Sequence, residues 1–110
     1  MVRGRVHDKV ALVTGAGSGI GRATAILLAR EGATALVADV NEQAAQAVAA
    51  EITSAGGKAE PLPLDVTDEA AWRAATERAL AAHGRLDVLV NNAGVPFGGA
   101  VAETSLEEWP

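Results

Sequence analysis

The segment Thr14-Gly-Ala-Gly-Ser-Gly-Ile-Gly21 places a glycine at every second position, directly after the short apolar run Val10-Ala-Leu-Val13. In that context Gly15 permits a tight turn out of a strand and Gly19 lets a phosphate approach the main chain. Gly21 lets the helix that follows lie close on the strand. The first turn of such a helix offers free N–H groups and a partial positive charge to an anion. The chemistry on offer is therefore recognition of a pyrophosphate, with Ser18 and Ile20 in the same turn as further contacts. A tight turn without a ligand is the competing reading, and the three glycines spaced by two after Gly15 weigh against it.

Spacing narrows the ligand. A strict GxGxxG fails in each register, because from Gly15 the last position is Ile20 and from Gly17 it is Arg22. A GxxxxGK phosphate loop fails as well, since no Gly-Lys follows the turn. The pattern that fits is Thr-Gly-x-x-x-Gly-x-Gly. Asp39 ends the second apolar run, 18 residues past Gly21. At the end of the second strand of a wound sheet, a carboxylate can accept hydrogen bonds from both hydroxyls of an adenosine ribose. A 2′-phosphate would meet a like charge there, and the neighbours Ser18 and Val40 bring no base to offset it. NAD is favoured over NADP on these grounds. Asp65 and Asn91 each follow a further apolar run, again at strand ends where ligands bind in such sheets. Taken alone, Asp65 also reads as a helix cap, and Asn92 reads as a brace for the strand end.

The elements that must position these residues follow from changes of period along the chain. Val10–Val13, Ala35–Ala38 and Val88–Val90 are continuous apolar runs, the signature of parallel strands buried on both faces. The weaker run Ala59–Leu64 carries Pro61 and Pro63, which push it to a sheet edge. Between the runs lie three helical segments. The first spans 20–30, with Ile20, Ala23, Thr24, Leu27 and Leu28 at the spacing of one helix face and Gly32 as its stop. The second is capped by Asn41 and reaches about Ser54, with Ala44, Val48 and Ile52 inward. The third starts at Thr67 or Asp68, turns Trp72, Ala75, Ala79 and Leu80 inward, and closes at Gly84. The order β-α-β-α-β-α-β implies an α/β fold with a parallel sheet. Right-handed crossovers put the first two helices on one face and the third on the other, with strand order 3-2-1-4. The fourth strand is left as an apolar edge, prone to self-association. Ser105-Leu-Glu-Glu108 opens a capping box that Pro110 cuts short, so the chain is expected to stop inside an element.

Composition excludes several classes. The chain has 110 residues, net charge −5 and no cysteine, which removes disulfide frameworks and thiolate zinc sites; no metal site is expected. An acidic balance without a basic cluster argues against nucleic acid. No apolar stretch approaches a membrane span and no signal segment opens the chain, so a cytoplasmic location is expected.

The sequence resembles the short-chain dehydrogenases/reductases. The residues that carry the likeness are Thr14-Gly15-x-x-x-Gly19-Ile20-Gly21, Asp39, Leu64-Asp65-Val66-Thr67 and Leu89-Val-Asn-Asn-Ala-Gly94. Ser105-Leu-Glu-Glu-Trp109 looks like the start of that family's next helix. The resemblance implies a Rossmann-like sheet and hydride transfer between a nicotinamide and an alcohol or carbonyl substrate. It further implies that Asp65 and Val66 line the adenine pocket, and that Asn91, Ala93 and Gly94 close over the cofactor ribose. The parent of such a chain would be a homo-oligomer. The family's catalytic tyrosine, its lysine four residues later, its serine and its asparagine all come after the matched region. This sequence has no tyrosine at all. Lys9 and Lys58 precede the fourth strand, and Ser105 sits in the wrong context. Residues 1–110 thus read as one dinucleotide-binding domain, incomplete, with no catalytic residue and no expected turnover. A non-catalytic nucleotide-binding remnant is an alternative. So is an S-adenosylmethionine methyltransferase, although Val13 stands where such enzymes place a carboxylate and Asn91–Gly94 would have no role there.

Overall fold

The computed structural model describes residues 6–92 of the chain. Seven elements alternate along it: β1 (Val10–Thr14), α1 (Gly19–Arg30), β2 (Thr34–Asp39), α2 (Glu42–Ser54), β3 (Lys58–Pro63), α3 (Glu69–His83) and β4 (Val88–Val90). The four strands form one parallel sheet in the order β3-β2-β1-β4. This is the Rossmann-like order expected from right-handed crossovers. Register is set by residue alternation: Leu12 lies beside Leu36 and Leu89, while Val13 lies beside Val37 and Val90.

Alternation divides the core into two layers. Val13, Ala35 and Val37 meet Ala25 and Ala29 of α1 and Ala45, Val48, Ala49 and Ile52 of α2. On the opposite face Leu12, Leu36 and Leu62 meet Ala75 and Ala79 of α3. Both layers rely on alanine, so helices approach the sheet closely and each contact buries little area.

The helix faces depart from the sequence expectation in three places. The stripe of α1 against the sheet is Gly21, Ala25 and Ala29, while Ile20 and Leu27 are 76% and 55% exposed. Only Leu28 of the expected set packs partly against the core, beside Ile26. The small residues permit the close approach, and the larger ones are turned aside by it. In α3, Ala75 and Ala79 are buried and Trp72 packs partly on the same layer, but Leu80 is 47% exposed. In α2, Val48 and Ile52 are buried as expected, joined by Ala45 and Ala49 rather than by the half-buried Ala44.

Helix starts follow the caps. Asn41 accepts from the Ala44 N–H at 3.0 Å, and Asp68 accepts from the Ala71 N–H at 3.1 Å. Asp68, not Thr67, therefore begins α3. The proline-bearing β3 lies at one edge of the described sheet and the half-buried β4 at the other. Phe97, the capping box at Ser105 and Pro110 lie outside the described residues. Among the described residues, no helix is long and apolar enough to cross a membrane.

Candidate functional site

The carboxyl ends of all four strands gather at one edge of the sheet, and the glycine turn leaves β1 there. β2 lies on one side of β1 and β4 on the other, so the crevice at this edge sits where the winding reverses. Gly15 and Gly19 adopt φ of +62° and +58°, the left-handed region that suits glycine. Gly21 answers a different need. A Cβ on it would lie 2.1 Å from the Gly15 carbonyl oxygen and 2.6 Å from Asn92 Nδ2. A Cβ on Gly19 would meet nothing within 4 Å, so the main chain there faces open space. The Ala16 N–H donates to the Ala38 carbonyl at 3.0 Å and ties the turn to β2.

Ser18 stands at the N-cap of α1 with extended backbone, but its side chain makes no capping bond. No acidic residue occupies the first turn of α1. The N-terminal N–H groups of α1 therefore point outward from the exposed stretch Ser18–Ile20 without a carboxylate of their own helix. Such a terminus attracts an anion.

Asp39 joins three segments. Its Oδ2 accepts from the Gly17 N–H at 2.8 Å, and its Oδ1 accepts from the Asn41 N–H at 2.9 Å. Its carbonyl accepts from the Leu64 N–H at 3.0 Å, which fixes the exit of β3. Each carboxylate oxygen keeps a lone-pair direction for a further donor. Gly17 has no room for a side chain, because a Cβ would fall 2.8 Å from Asp39 Oδ2 and 2.7 Å from Ala44 Cβ.

Beyond β3, Asp65 is exposed and caps nothing in α3. Its Oδ1 accepts from the Thr67 hydroxyl at 2.6 Å and from the Thr67 N–H at 2.9 Å. These two bonds, the hydroxyl's first, hold the Asp65 carboxyl below the usual aspartate value. Val66 is half-buried and packs against the layer that includes α3.

Beyond β4, the strand end is clasped to β1 through Thr14, which is fully buried. The Thr14 hydroxyl lies 3.1 Å from Asn91 Oδ1 and 3.3 Å from the Val90 carbonyl, and it accepts from the Asn92 N–H at 2.8 Å. Asn92 thus braces the strand end through its main chain. At the opposite end of the same strand pair, Asp87 accepts from the Val10 N–H at 2.8 Å and from Arg85 Nε at 2.7 Å. Arg85 first, and the Val10 N–H second, keep the Asp87 carboxyl below its usual value.

Gly15, Ser18, Asp65 and Asn91 lie in the loops at this one edge, Gly19, Ile20 and Gly21 in the first turn of α1 and Asp39 at the end of β2, with Val66 one residue past Asp65. Ala93 and Gly94 lie outside the described residues. Two participants had not been singled out from sequence: Gly17, as the donor to Asp39, and the main-chain N–H of Asn41. The unbroken alternation of four glycines was the available signal for the first, and the second carries none. The histidines lie away from this edge. His83 Nε2 sits 2.7 Å from Glu60 Oε2 beside β3, and His7 pairs with its neighbour Asp8 at 3.2 Å. Among the described residues, no group of three or more His, Cys, Asp or Glu side chains could hold a metal ion.

Known proteins resemble this chain in sequence and in fold. Cyclopentanol dehydrogenase of Comamonas sp. (strain NCIMB 9872) is 52% identical over 106 residues, which cover 96% of this chain and 42% of that protein. The structure of a 7α-hydroxysteroid dehydrogenase complexed with NADH and 7-oxo glycochenodeoxycholic acid superposes with a TM-score of 0.80. It is 40% identical, over 92% of this chain and 41% of the other. A metagenomic short-chain oxidoreductase in complex with NADP superposes with a TM-score of 0.79. It is 46% identical, over 86% of this chain and 43% of the other. The chain spans less than half the length of each. Residues 9–110 match the family model of the short chain dehydrogenases, and with the fold and the glycine turn in agreement the chain belongs to that family.

Proposed function

We propose that residues 1–110 form the dinucleotide-binding part of an NAD(P)-dependent oxidoreductase that interconverts an alcohol and a carbonyl compound, with NAD preferred. The observation that carries this reading is the Asp39 carboxylate held beside the glycine turn, with one oxygen on the Gly17 N–H and the other on the Asn41 N–H. The pyrophosphate would rest at Gly15, Ser18, Gly19, Ile20 and Gly21. The open space over Gly19 and the outward N–H groups of α1 suit an anion of that kind. Asp39 would take the adenosine ribose hydroxyls, and Asp65 and Val66 would line the adenine. Asn91, Ala93 and Gly94 would close over the second ribose. The nicotinamide, when bound, supplies the hydride chemistry. The chain's own contribution is to bind and orient. Relatives carry both NADH and NADP in their complexes, so the preference for NAD rests on the charge of Asp39 and on the absence of a basic side chain at Ser18 or Val40.

Exchange of the substrate proton needs an acid/base group near the nicotinamide. These 110 residues include no tyrosine, and we assign them no catalytic residue. By themselves they are expected to bind cofactor weakly and to turn over no alcohol. The half-buried β4, paired only with β1 among the described residues, would also favour self-association.

Calorimetric titration with NAD and NADP tests the reading. Tighter binding of NAD is expected. Equal affinities would overturn the role given to Asp39, and no binding of either would overturn the site. NADH formation from an alcohol by the 110-residue chain would refute the assignment of no catalytic group.

A further inference from the structure

We propose that the main-chain N–H groups of Gly17 and Asn41 form an anion-binding pair that the protein fills with its own Asp39 carboxylate. On this view occupancy of the pair, and not like-charge repulsion alone, keeps a 2′-phosphate out. The inference rests on the dinucleotide reading above and specifies how the site chooses between the two cofactors.

Two donors from two different turns converge on one carboxylate, at 2.8 Å from Gly17 and 2.9 Å from Asn41. Both are main-chain groups, so they persist whatever side chain stands at position 39. The Asn41 carboxamide is engaged elsewhere, accepting from the Ala44 N–H at 3.0 Å. That bond fixes the cap of α2 and with it the direction of the Asn41 N–H. On the other side, any side chain at position 17 would strike Asp39 Oδ2 or Ala44 Cβ, so the Gly17 N–H is kept within reach of the carboxylate. Glu42, the acidic residue in the first turn of α2, is exposed and accepts from Gln46 at 3.4 Å along its own helix.

Without the Asp39 carboxylate, two N–H groups lose their acceptor at the edge of a ligand crevice. A phosphate monoester presents several acceptor oxygens at one centre and suits such a pair. A carboxamide at position 39 behaves differently. It removes the charge, yet its oxygen still covers one N–H and its NH2 faces the other, donor against donor. Repulsion alone predicts that Asp39→Asn and Asp39→Ala admit a 2′-phosphate equally. Occupancy predicts that only Asp39→Ala does.

The probes are 5′-AMP and adenosine 2′,5′-bisphosphate, titrated into the 15N-labelled chain and its variants. Wild type is expected to bind 5′-AMP more tightly than the bisphosphate. Asp39→Ala is expected to gain about tenfold for the bisphosphate, which is about 1.4 kcal/mol. In Asp39→Ala the Gly17 and Asn41 amide signals should shift further on adding the bisphosphate than on adding 5′-AMP, whose own phosphate also lies at the glycine turn. Asp39→Asn should gain little. Asp39→Ser supplies a second small side chain if the alanine variant fails to give a folded spectrum. Equal gains in Asp39→Asn and Asp39→Ala overturn the inference, as does a gain with shifts at Gly17 and Asn41 no larger than those 5′-AMP gives. A wild type that binds 5′-AMP, with no gain in either small variant, overturns this inference while leaving the dinucleotide reading intact. A wild type that binds neither probe overturns both.

Discussion

Replacing Gly21 with alanine is the sharpest test of how the sequence builds this site. The new Cβ would lie 2.1 Å from the Gly15 carbonyl oxygen, 2.7 Å from the Gly15 carbonyl carbon and 2.6 Å from Asn92 Nδ2. Ordinary contact begins near 3.4 Å, so the start of α1 must retreat by more than an ångström or the turn must open. Two of the three atoms belong to the main chain and cannot be relieved by a rotamer change. Overpacking costs about 1–3 kcal/mol, and a main-chain clash belongs at the upper end. The retreat also lifts Ala25 and Ala29 from the sheet, and a gap of about 0.5–1 Å forfeits a quarter to a half of each contact's attraction. Alanine's better helix propensity returns roughly 0.5–1 kcal/mol. The net loss is about 2–3 kcal/mol, and for a chain of this size that lowers Tm by about 10–20 °C. Thermal unfolding followed by far-ultraviolet circular dichroism measures it. Gly19→Ala is the control, because its Cβ meets nothing and only the φ of +58° opposes it, at about 1–2 kcal/mol. A Gly21→Ala protein melting within a few degrees of wild type, or above Gly19→Ala, would refute the claim that close packing of α1 dictates this glycine.

Thr14→Val keeps the shape of a buried side chain but takes the acceptor from the Asn92 N–H. A loss of about 1–3 kcal/mol in urea unfolding is expected, with faster amide exchange at Asn92, and unchanged exchange there would count against the clasp. Removing a cap by Asn41→Ala should cost about 1 kcal/mol, and a stability equal to wild type would show that α2 starts without it. Acid should act through Asp87. Its folded carboxyl titrates below the unfolded value, so its contribution is complete above about pH 4 and fades as pH falls through the folded value. The stability difference between wild type and Asp87→Ala should therefore be constant near neutrality and narrow below pH 4. A difference that does not change with pH would exclude the pairing with Arg85 and Val10 as its source.

Much of the fold was legible because its signals are local. Three of the four strands announce themselves by an apolar run stopped by Gly15, Asp39 or Asn91, β3 is marked by its prolines, and the handedness of crossovers then supports the observed strand order. The helix faces were harder to read because hydrophobicity ranks Ile20, Leu27 and Leu80 above their small neighbours. Against this sheet the deciding quantity is the distance of approach, and Gly21, Ala25 and Ala29 win by being small. The polar framework left still less trace. The bond from Gly17 to Asp39 spans 22 positions and that from Asn92 to Thr14 spans 78. In both the donor is a main-chain N–H, which every residue but proline possesses, so no spacing rule marks it.

The position of Asp39 in that framework bears on how its substitutions must be read. One side chain ties the glycine turn to the start of α2, while its carbonyl holds the exit of β3. Loss of the carboxylate therefore changes the order of two turns together with the choice of ligand. A fall in NAD affinity on Asp39→Ala does not separate a lost ribose contact from a loosened turn. The comparison with Asp39→Asn does, because the carboxamide keeps one of the two turns tied while removing the charge. If NAD binding survives in Asp39→Asn but not in Asp39→Ala, the tie between turns matters more than the charge. If it is lost equally in both, the ionised pair of ribose acceptors is what the cofactor requires.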